Sequence, residues 1–138
     1  MRLWHYEIVP YLPKSQLIAQ WRELNSIFTR EDKHILINYI YNYPKDYLYT
    51  YSNFVLDEMK KRGYQIKKWD NYNEYFGNLR FSNPNMSLIY SEHDSEYFEI
   101  CYWNLKEKYL RGQNDFTKDI YYNMLNAYIK NIGKGNNK

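Results

Sequence analysis

The strongest constraint on the fold of this chain is the recurrence of apolar side chains at helical spacing after Pro13. Projected at 100° per residue, five of them fall within a stripe about 100° wide, which is the pattern of an amphipathic helix: Leu17, Ile18, Trp21, Leu24 and Phe28. Ser15, just after the proline, is a residue type favoured as an N-cap. The sequence therefore predicts a helix from about residue 15, with Arg22 and Glu23 on either side of its apolar stripe.

Apolar spacing also predicts helices over residues 35–43, 48–59 and 115–133. Pro44 ends the first of these, Gly63 follows the second behind a basic last turn, and Gly133 caps the third. A length of 138 residues suits one domain. We therefore expect a mainly α fold, a compact single-domain helical bundle over residues 1–133, followed by a flexible basic tail at 134–138.

The middle of the chain, residues 69–102, carries turn signals instead of periodicity. These are Asn71, Asn73, Gly77 and Asn83-Pro84-Asn85. We expect this segment to be irregular and loop-rich, with short strand-like pieces at most, as at residues 97–100. Loops of this length inside a compact domain are more often functional than idle.

Cysteine and histidine usage limits the chemistry. Cys101 is the one cysteine, and His5, His34 and His93 share no metal-ligand spacing. We expect no disulfide, no metal and no cofactor. Apolar runs fall short of the roughly 20 residues of a membrane span, and the N-terminus lacks a signal-peptide core. These features favour a cytoplasmic protein without a membrane partner.

The charge distribution permits nucleic-acid binding without requiring it. The net charge is +3 and the sequence pI about 8.8. Separated patches of opposite sign could steer a polyanion to one face, whereas the basic residues could equally complement the C-terminal end of a helix. The basic patch is Lys60, Lys61, Arg62, Lys67 and Lys68, and the acidic one is Glu92, Asp94, Glu96 and Glu99.

Glu23 lies close enough to the N-terminus for a fold to bring its carboxylate beside the terminal amine. In peptides an α-amino group has a pKa of roughly 7.7–8.0, so a useful fraction is nucleophilic at neutral pH. An amine and a carboxylate together form a complete Schiff-base elimination apparatus, with Glu23 as the base. The alternative is that Glu23 is a solvated residue on a helix surface.

The first half of the chain resembles the pyrimidine-dimer DNA glycosylases of the phage endonuclease V type, and its opening Met1-Arg2-Leu3-Trp4-His5-Tyr6 is similar to that of bacterial members. The second half is similar only loosely, at Leu105-Lys106-Glu107-Lys108 and Tyr121-Tyr122. The matching positions are Val9, Leu12, Leu17, Arg22-Glu23-Leu24, Phe28, Lys33-His34 and Lys61-Arg62-Gly63-Tyr64.

This resemblance implies a DNA-repair glycosylase and AP lyase that flips a nucleotide out of duplex DNA and cuts at damaged or abasic sites. In the phage enzymes the N-terminal amine attacks the sugar, and the glutamate of the Arg-Glu-Leu motif transfers protons. Carried to this chain, Met1 and Glu23 are catalytic, and Arg22 is a phosphate or orienting contact. Trp4 is a further candidate for the site, and the implied DNA-binding residues are Arg2, Lys33, His34 and His5.

The chain departs from the phage pattern at its terminus. The phage enzymes have a threonine that becomes the first residue, whereas this chain has Arg2, behind which Met1 should be retained. The amine is then displaced by up to about 3.5 Å along the chain. Three alternatives follow: the Met1 amine is repositioned, Lys33 replaces it, or the chain is a non-catalytic module that binds nucleic acid or protein.

The target of the chemistry is open as well. The resemblance implies a basic residue at position 26 and a histidine at position 16, near the DNA. This chain has Ser26 and Gln16 at those positions. The pyrimidine-dimer specificity of the phage enzymes therefore does not transfer, and a glycosylase for a different nucleotide is a further alternative.

Overall fold

The computed structural model describes the backbone of residues 1–136 and the side chains of residues 1–133. Within that part of the chain the regular elements are all helical, which confirms the predicted mainly α class. None of these helices is long and apolar enough to cross a membrane. The α-helices are α1 (Lys14–Arg30), α2 (Lys45–Lys61), α3 (Trp69–Phe76), α4 (Ser95–Leu110) and α5 (Lys118–Asn136), and short 3-10 helices lie at Val9–Tyr11, Asn38–Asn42 and Gly77–Phe81.

The chain divides into two compact units. The first contains Met1–Leu3 and Ile18–Tyr90, and the second contains Trp4–Leu17 and the chain from Ser91 onward. The first three residues therefore belong with α2, α3 and most of α1, although the residues directly after them do not.

Aromatic side chains from three helices form the core of the first unit. Phe76 of α3 lies 5.1 Å from Phe28 of α1 and 5.2 Å from Tyr49 of α2, measured between ring centroids, and both pairs are edge-to-face. Such pairs contribute about 0.5–1.5 kcal/mol each beyond the area they bury. The indole N–H of Trp21 also donates to the carbonyl of Lys67 at 2.8 Å. These contacts fix the apolar side of α1.

The predicted end of the helix over residues 48–59 is confirmed at Gly63. α2 ends at Lys61, and Gly63 adopts a φ of +76°, in the left-handed region that favours glycine. The Gly63 N–H donates to the carbonyl of Lys60, and the Tyr64 N–H donates to that of Met59. This is a Schellman motif, which satisfies the last carbonyls of the helix.

In the second unit, α4 and α5 pack as an antiparallel pair. The rings of Tyr102 and Tyr128 stack at 4.0 Å, and those of Tyr109 and Tyr121 stack at 4.2 Å. The earlier residue of α4 meets the later residue of α5, so the two helices run in opposite directions. Phe98, Cys101, Leu105 and Met124 are buried in this unit.

The start of α1 is capped differently from the sequence prediction. Helix α1 begins at Lys14, and the carbonyl of Pro13 accepts from the Leu17 N–H at 3.0 Å. Ser15 is therefore not the N-cap. Its backbone N–H donates to Asp115 Oδ2 at 2.6 Å, so a carboxylate 100 residues away satisfies one of the open N–H groups of the first turn.

Two of the predicted segments differ from the structure. Residues 35–43 contain only the 3-10 helix at Asn38–Asn42, and Ile35 is 80% exposed. The Asp32 side chain accepts from the His34 N–H and His34 Nδ1 accepts from the Leu36 N–H, so these turns compete with a helix. Residues 97–100, predicted to be strand-like, lie in α4, because Asp94 Oδ1 caps the Tyr97 N–H at 2.9 Å.

The middle of the chain also contains α3, and its irregular part is shorter than predicted. Helix α5 continues past Gly133 to Asn136, so this glycine is not a cap. The domain limits at 1–133 and the flexible tail at 134–138 stay predictions. Residues 137 and 138, and the side chains of residues 134–136, lie outside the described residues.

His5 and His93 lie together in the core of the second unit. They are 1% and 6% exposed, and their ring centroids are 5.4 Å apart. The Glu7 N–H donates to His5 Nδ1 at 3.1 Å, and the Tyr6 N–H donates to His93 Nδ1 at 3.2 Å. Burial lowers the pKa of His5, and burial and then the neighbouring His5 lower the pKa of His93 to about 3.

A histidine that folds in the neutral form destabilises the protein in acid. Below its unfolded pKa of roughly 6.5 the unfolded chain binds a proton that the folded chain does not, until the folded pKa is reached. Between these two pKa values we expect His93 to lower the free energy of unfolding by up to about 1.4 kcal/mol per pH unit. Urea unfolding of the wild type and His93→Asn at about pH 7 and about pH 5 measures the difference in slope.

His93→Asn should flatten this pH dependence, because the asparagine carbonyl can accept from the Tyr6 N–H without titrating near neutral pH. His34→Asn is the matched control, because His34 is exposed. Equal slopes for the wild type and His93→Asn would show that His93 does not fold in the neutral form.

Candidate active site

Glu23 lies on α1 with its carboxylate half-buried in the first unit. One turn earlier on the same helix, the side-chain amide of Gln20 is fully buried. Its Nε2 donates to Glu23 Oε2 at 3.1 Å and to the carbonyl of Arg2 at 3.1 Å. The amide therefore joins the carboxylate to the N-terminal segment of the chain.

The main chain of Arg2 is held at a second point. Its backbone N–H donates to the Glu23 carboxylate, while its carbonyl accepts from Gln20. The charge of the Met1 amine, one residue earlier, acts on the same carboxylate. The terminal amine therefore lies within the range at which its charge favours the ionised Glu23 carboxylate.

Burial raises the pKa of the Glu23 carboxyl above its usual value. Four groups oppose this effect by favouring the ionised form: the Met1 amine, the Arg2 backbone N–H, and the charges of Arg22 and His34. Burial outweighs them, so Glu23 titrates nearer to neutral pH than an exposed glutamate. This direction suits a group that takes up and releases a proton near pH 7.

Three other predicted site residues are exposed in the first unit: Arg22, Lys33 and His34. Arg22 is exposed and acts on Glu23 through its charge, as does His34. His34 Nδ1 accepts from the Leu36 N–H at 3.1 Å, so a neutral His34 carries its proton on Nε2. The Nζ of Lys33 lies 5.9 Å from the centroid of the Tyr41 ring.

The predicted DNA contact of His5 is wrong for this fold. His5 is 1% exposed and packs against Tyr6 and His93 in the second unit, so its imidazole does not reach a phosphate. Trp4 is also buried in that unit and is a core residue. The roles of Met1, Arg2, Arg22, Glu23, Lys33 and His34 stay predictions; of these, Met1, Arg2, Arg22 and His34 act on the Glu23 carboxyl.

The sequence prediction missed Gln20 and Tyr51. The Tyr51 hydroxyl, from α2, donates to Gln20 Oε1 at 3.0 Å. Gln20 could have been found, because residues three apart on a helix are neighbours and Glu23 was already a candidate. Tyr51 is 31 residues from Gln20 in sequence, and no local spacing links the two.

No group of three or more histidine, cysteine, aspartate or glutamate side chains suited to a metal ion occurs among the described residues. The functional groups gathered around Glu23 are an amine, a guanidinium, an imidazole and amides. This set can donate hydrogen bonds to anions and can move protons.

An NMR titration of the Glu23 side-chain carbon tests the electrostatics of this site. We expect its midpoint to lie above the usual value of a glutamate, because burial is the largest effect on it. Arg22→Gln removes a positive charge and should raise the midpoint further.

Arg30→Gln is the matched control for this titration. Arg30 ends the same helix, where its Nη2 donates to Ser26 Oγ at 2.7 Å, and its loss should leave the Glu23 midpoint in place. A Glu23 midpoint at or below the usual value, or equal shifts in both variants, would contradict the described site.

Comparison with known proteins identifies the family of this chain. A family model described as pyrimidine dimer DNA glycosylase matches residues 1–71. No curated protein and no solved structure gives a significant match. The matched part is just over half of the 138 residues, and it contains the Met1 amine, the Arg2 main chain and the Glu23 carboxylate. The chain therefore belongs to the pyrimidine dimer DNA glycosylase family.

Proposed function

We propose that this protein is a DNA-repair glycosylase and AP lyase that acts on damaged or abasic sites in duplex DNA. The Met1 amine is the nucleophile, and Glu23 is the proton-transfer group. The observation that carries the proposal is the half-buried Glu23 carboxylate, which accepts from the backbone N–H of Arg2 and lies within the field of the terminal amine.

In the first step, the unprotonated amine attacks C1′ of the damaged nucleotide and the bond to the base breaks. The base leaves with the electron pair of that bond and takes up a proton. The nitrogen then forms an imine with C1′ as the sugar ring opens. At an abasic site the aldehyde condenses with the amine, and water leaves instead of a base.

In the second step, the Glu23 carboxylate removes a proton from C2′ of the imine. The electron pair forms a double bond between C2′ and C3′, and the 3′ phosphate leaves, which cuts the strand. The ionised carboxylate also stabilises the positive imine nitrogen. A raised Glu23 pKa makes this carboxylate a stronger base than an exposed one and leaves it able to return the proton.

The change at the terminus is compatible with this role. Gln20 and Glu23 hold main-chain atoms of Arg2, and these contacts demand no particular side chain at position 2. With this main chain fixed, the residue before it supplies the amine. Lys33 is the second candidate nucleophile, although its ammonium group lies toward the Tyr41 ring.

Binding to the duplex is assigned to cationic residues around the carboxylate. Arg22, Lys33 and His34 are exposed in the same unit, and Arg2 is partly exposed there. Contacts of this kind are made with phosphates and weaken as salt rises. Flipping a nucleotide costs a few kcal/mol, least for a damaged or missing base, and phosphate contacts and DNA bending offset that cost.

Borohydride trapping on duplex DNA with one abasic site tests the proposal. Reduction of the imine should give a covalent complex whose bond maps to the N-terminal peptide. An uncleaved extension before Met1 should abolish trapping and leave DNA affinity nearly intact, because one amine adds little to a phosphate-dominated affinity. Glu23→Gln should still allow the imine but slow strand cleavage by roughly 10²–10⁴-fold, the usual contribution of a general base.

Glu58→Gln is the matched control, because Glu58 pairs with Arg62 on α2 and is not part of the site. It should trap and cleave like the wild type. A trap that survives the extension and is lost in Lys33→Ala would assign the nucleophile to that lysine. No trap with the wild-type protein would reject the lyase and leave the non-catalytic binding module as the explanation.

A further inference from the structure

Gln20 is an unusual residue for the interior of the first unit. Its amide is fully buried, and a buried amide is costly unless its donors and acceptor are satisfied. The Nε2 group uses its two protons in different directions, one toward the Arg2 carbonyl and one toward Glu23 Oε2, both at 3.1 Å. The Gln20 amide thus links the carboxylate to the N-terminal segment a second time, beside the direct bond from the Arg2 N–H.

Tyr51 completes the hydrogen bonds of this amide. Its hydroxyl donates to Gln20 Oε1 at 3.0 Å, and its side chain is buried. If the amide turned over, Oε1 would face two other acceptors, the Arg2 carbonyl and the Glu23 carboxylate, and Nε2 would face the tyrosine. The Arg2 carbonyl and the Glu23 carboxylate therefore fix the orientation in which the amide donates to both, and the Tyr51 hydroxyl satisfies its oxygen.

We infer that Gln20 is a positioning residue that helps to set the separation between the N-terminal amine and the Glu23 carboxylate, with Tyr51 satisfying its amide oxygen. This inference rests on the proposed function. Gln20 has no contact with the substrate in this role. It holds the residue after the nucleophile on one side and the base on the other.

The test uses Gln20→Met, which nearly keeps the side-chain volume and removes the amide. Without the amide the N-terminal segment keeps only its bond to Glu23, and a displacement of the amine by about 1 Å can cost roughly a hundredfold in rate. We expect imine trapping on abasic DNA to slow by about 10- to 100-fold, with duplex affinity at a fixed salt concentration unchanged. Tyr51→Phe should slow trapping in the same direction by a smaller factor.

A second readout separates positioning from a loss of stability. Gln20→Met removes a donor to the Glu23 carboxylate, which should raise the pKa of this carboxyl. The acidic limb of the pH–rate profile for elimination should therefore move to higher pH. The matched control is Asn25→Leu. Asn25 is another buried amide of α1 and is 5% exposed, but it hydrogen-bonds Trp21 and Asn71 instead of the site. Its variant should lose stability without slowing trapping or shifting the limb.

Each outcome has a distinct meaning. If the wild type traps, and Gln20→Met keeps the wild-type trapping rate and the wild-type acidic limb, this assignment is overturned and the proposed function stands. Equal slowing in Gln20→Met and Asn25→Leu attributes the effect to stability and also overturns the assignment. Absence of a trap with the wild-type protein rejects the proposed function, and the positioning role is rejected with it.

Discussion

The site depends on the capture of the Arg2 main chain between two side chains of α1. Glu23 accepts from its N–H and Gln20 donates to its carbonyl. Chain termini are usually poorly ordered unless tied down. These bonds tie down the start of the chain near the carboxylate, as the proposed role of its amine requires, and they use main-chain atoms that every non-proline residue provides. A half-buried carboxylate in turn needs such donors, because burial alone would favour its neutral form.

This arrangement requires α1 to be fixed from its other side. Phe28 and Trp21 do this through the aromatic core and the bond to the Lys67 carbonyl. Helix α2 adds Tyr51, which reaches the opposite end of the Gln20 amide. Packing contacts thus set the helix position, and the polar contacts of Gln20 and Glu23 hold the Arg2 main chain beside the helix. If α1 were weakly packed, its position and the polar contacts at its surface would be lost together.

The sequence was informative where the structure depends on local spacing. The stripe on α1 and the glycine after α2 follow from helical periodicity and backbone conformation, whereas the catalytic role of Glu23, predicted from the Arg22-Glu23-Leu24 motif, stays a prediction. Tyr51, which donates to Gln20, lies 31 residues from it, and Asp115, which accepts from Ser15, lies 100 residues from it, so no local pattern reveals either pair. α4 was missed because its apolar residues surround the helix: Ile100 and Trp103 are exposed, whereas Phe98 and Leu105 are buried. His5 was misassigned for a related reason, since its burial depends on His93.

Hydrogen exchange of the Arg2 amide, followed by NMR on the wild-type protein, tests the central claim most directly. An amide one residue from a disordered terminus exchanges at the rate of an unstructured peptide. Held by Glu23, the Arg2 N–H should exchange at least about 10-fold more slowly than that reference, and the protection should fall as acid protonates the carboxylate. Exchange at the unstructured rate near neutral pH would show that the N-terminal segment is not held beside Glu23, and the account of the site would be wrong.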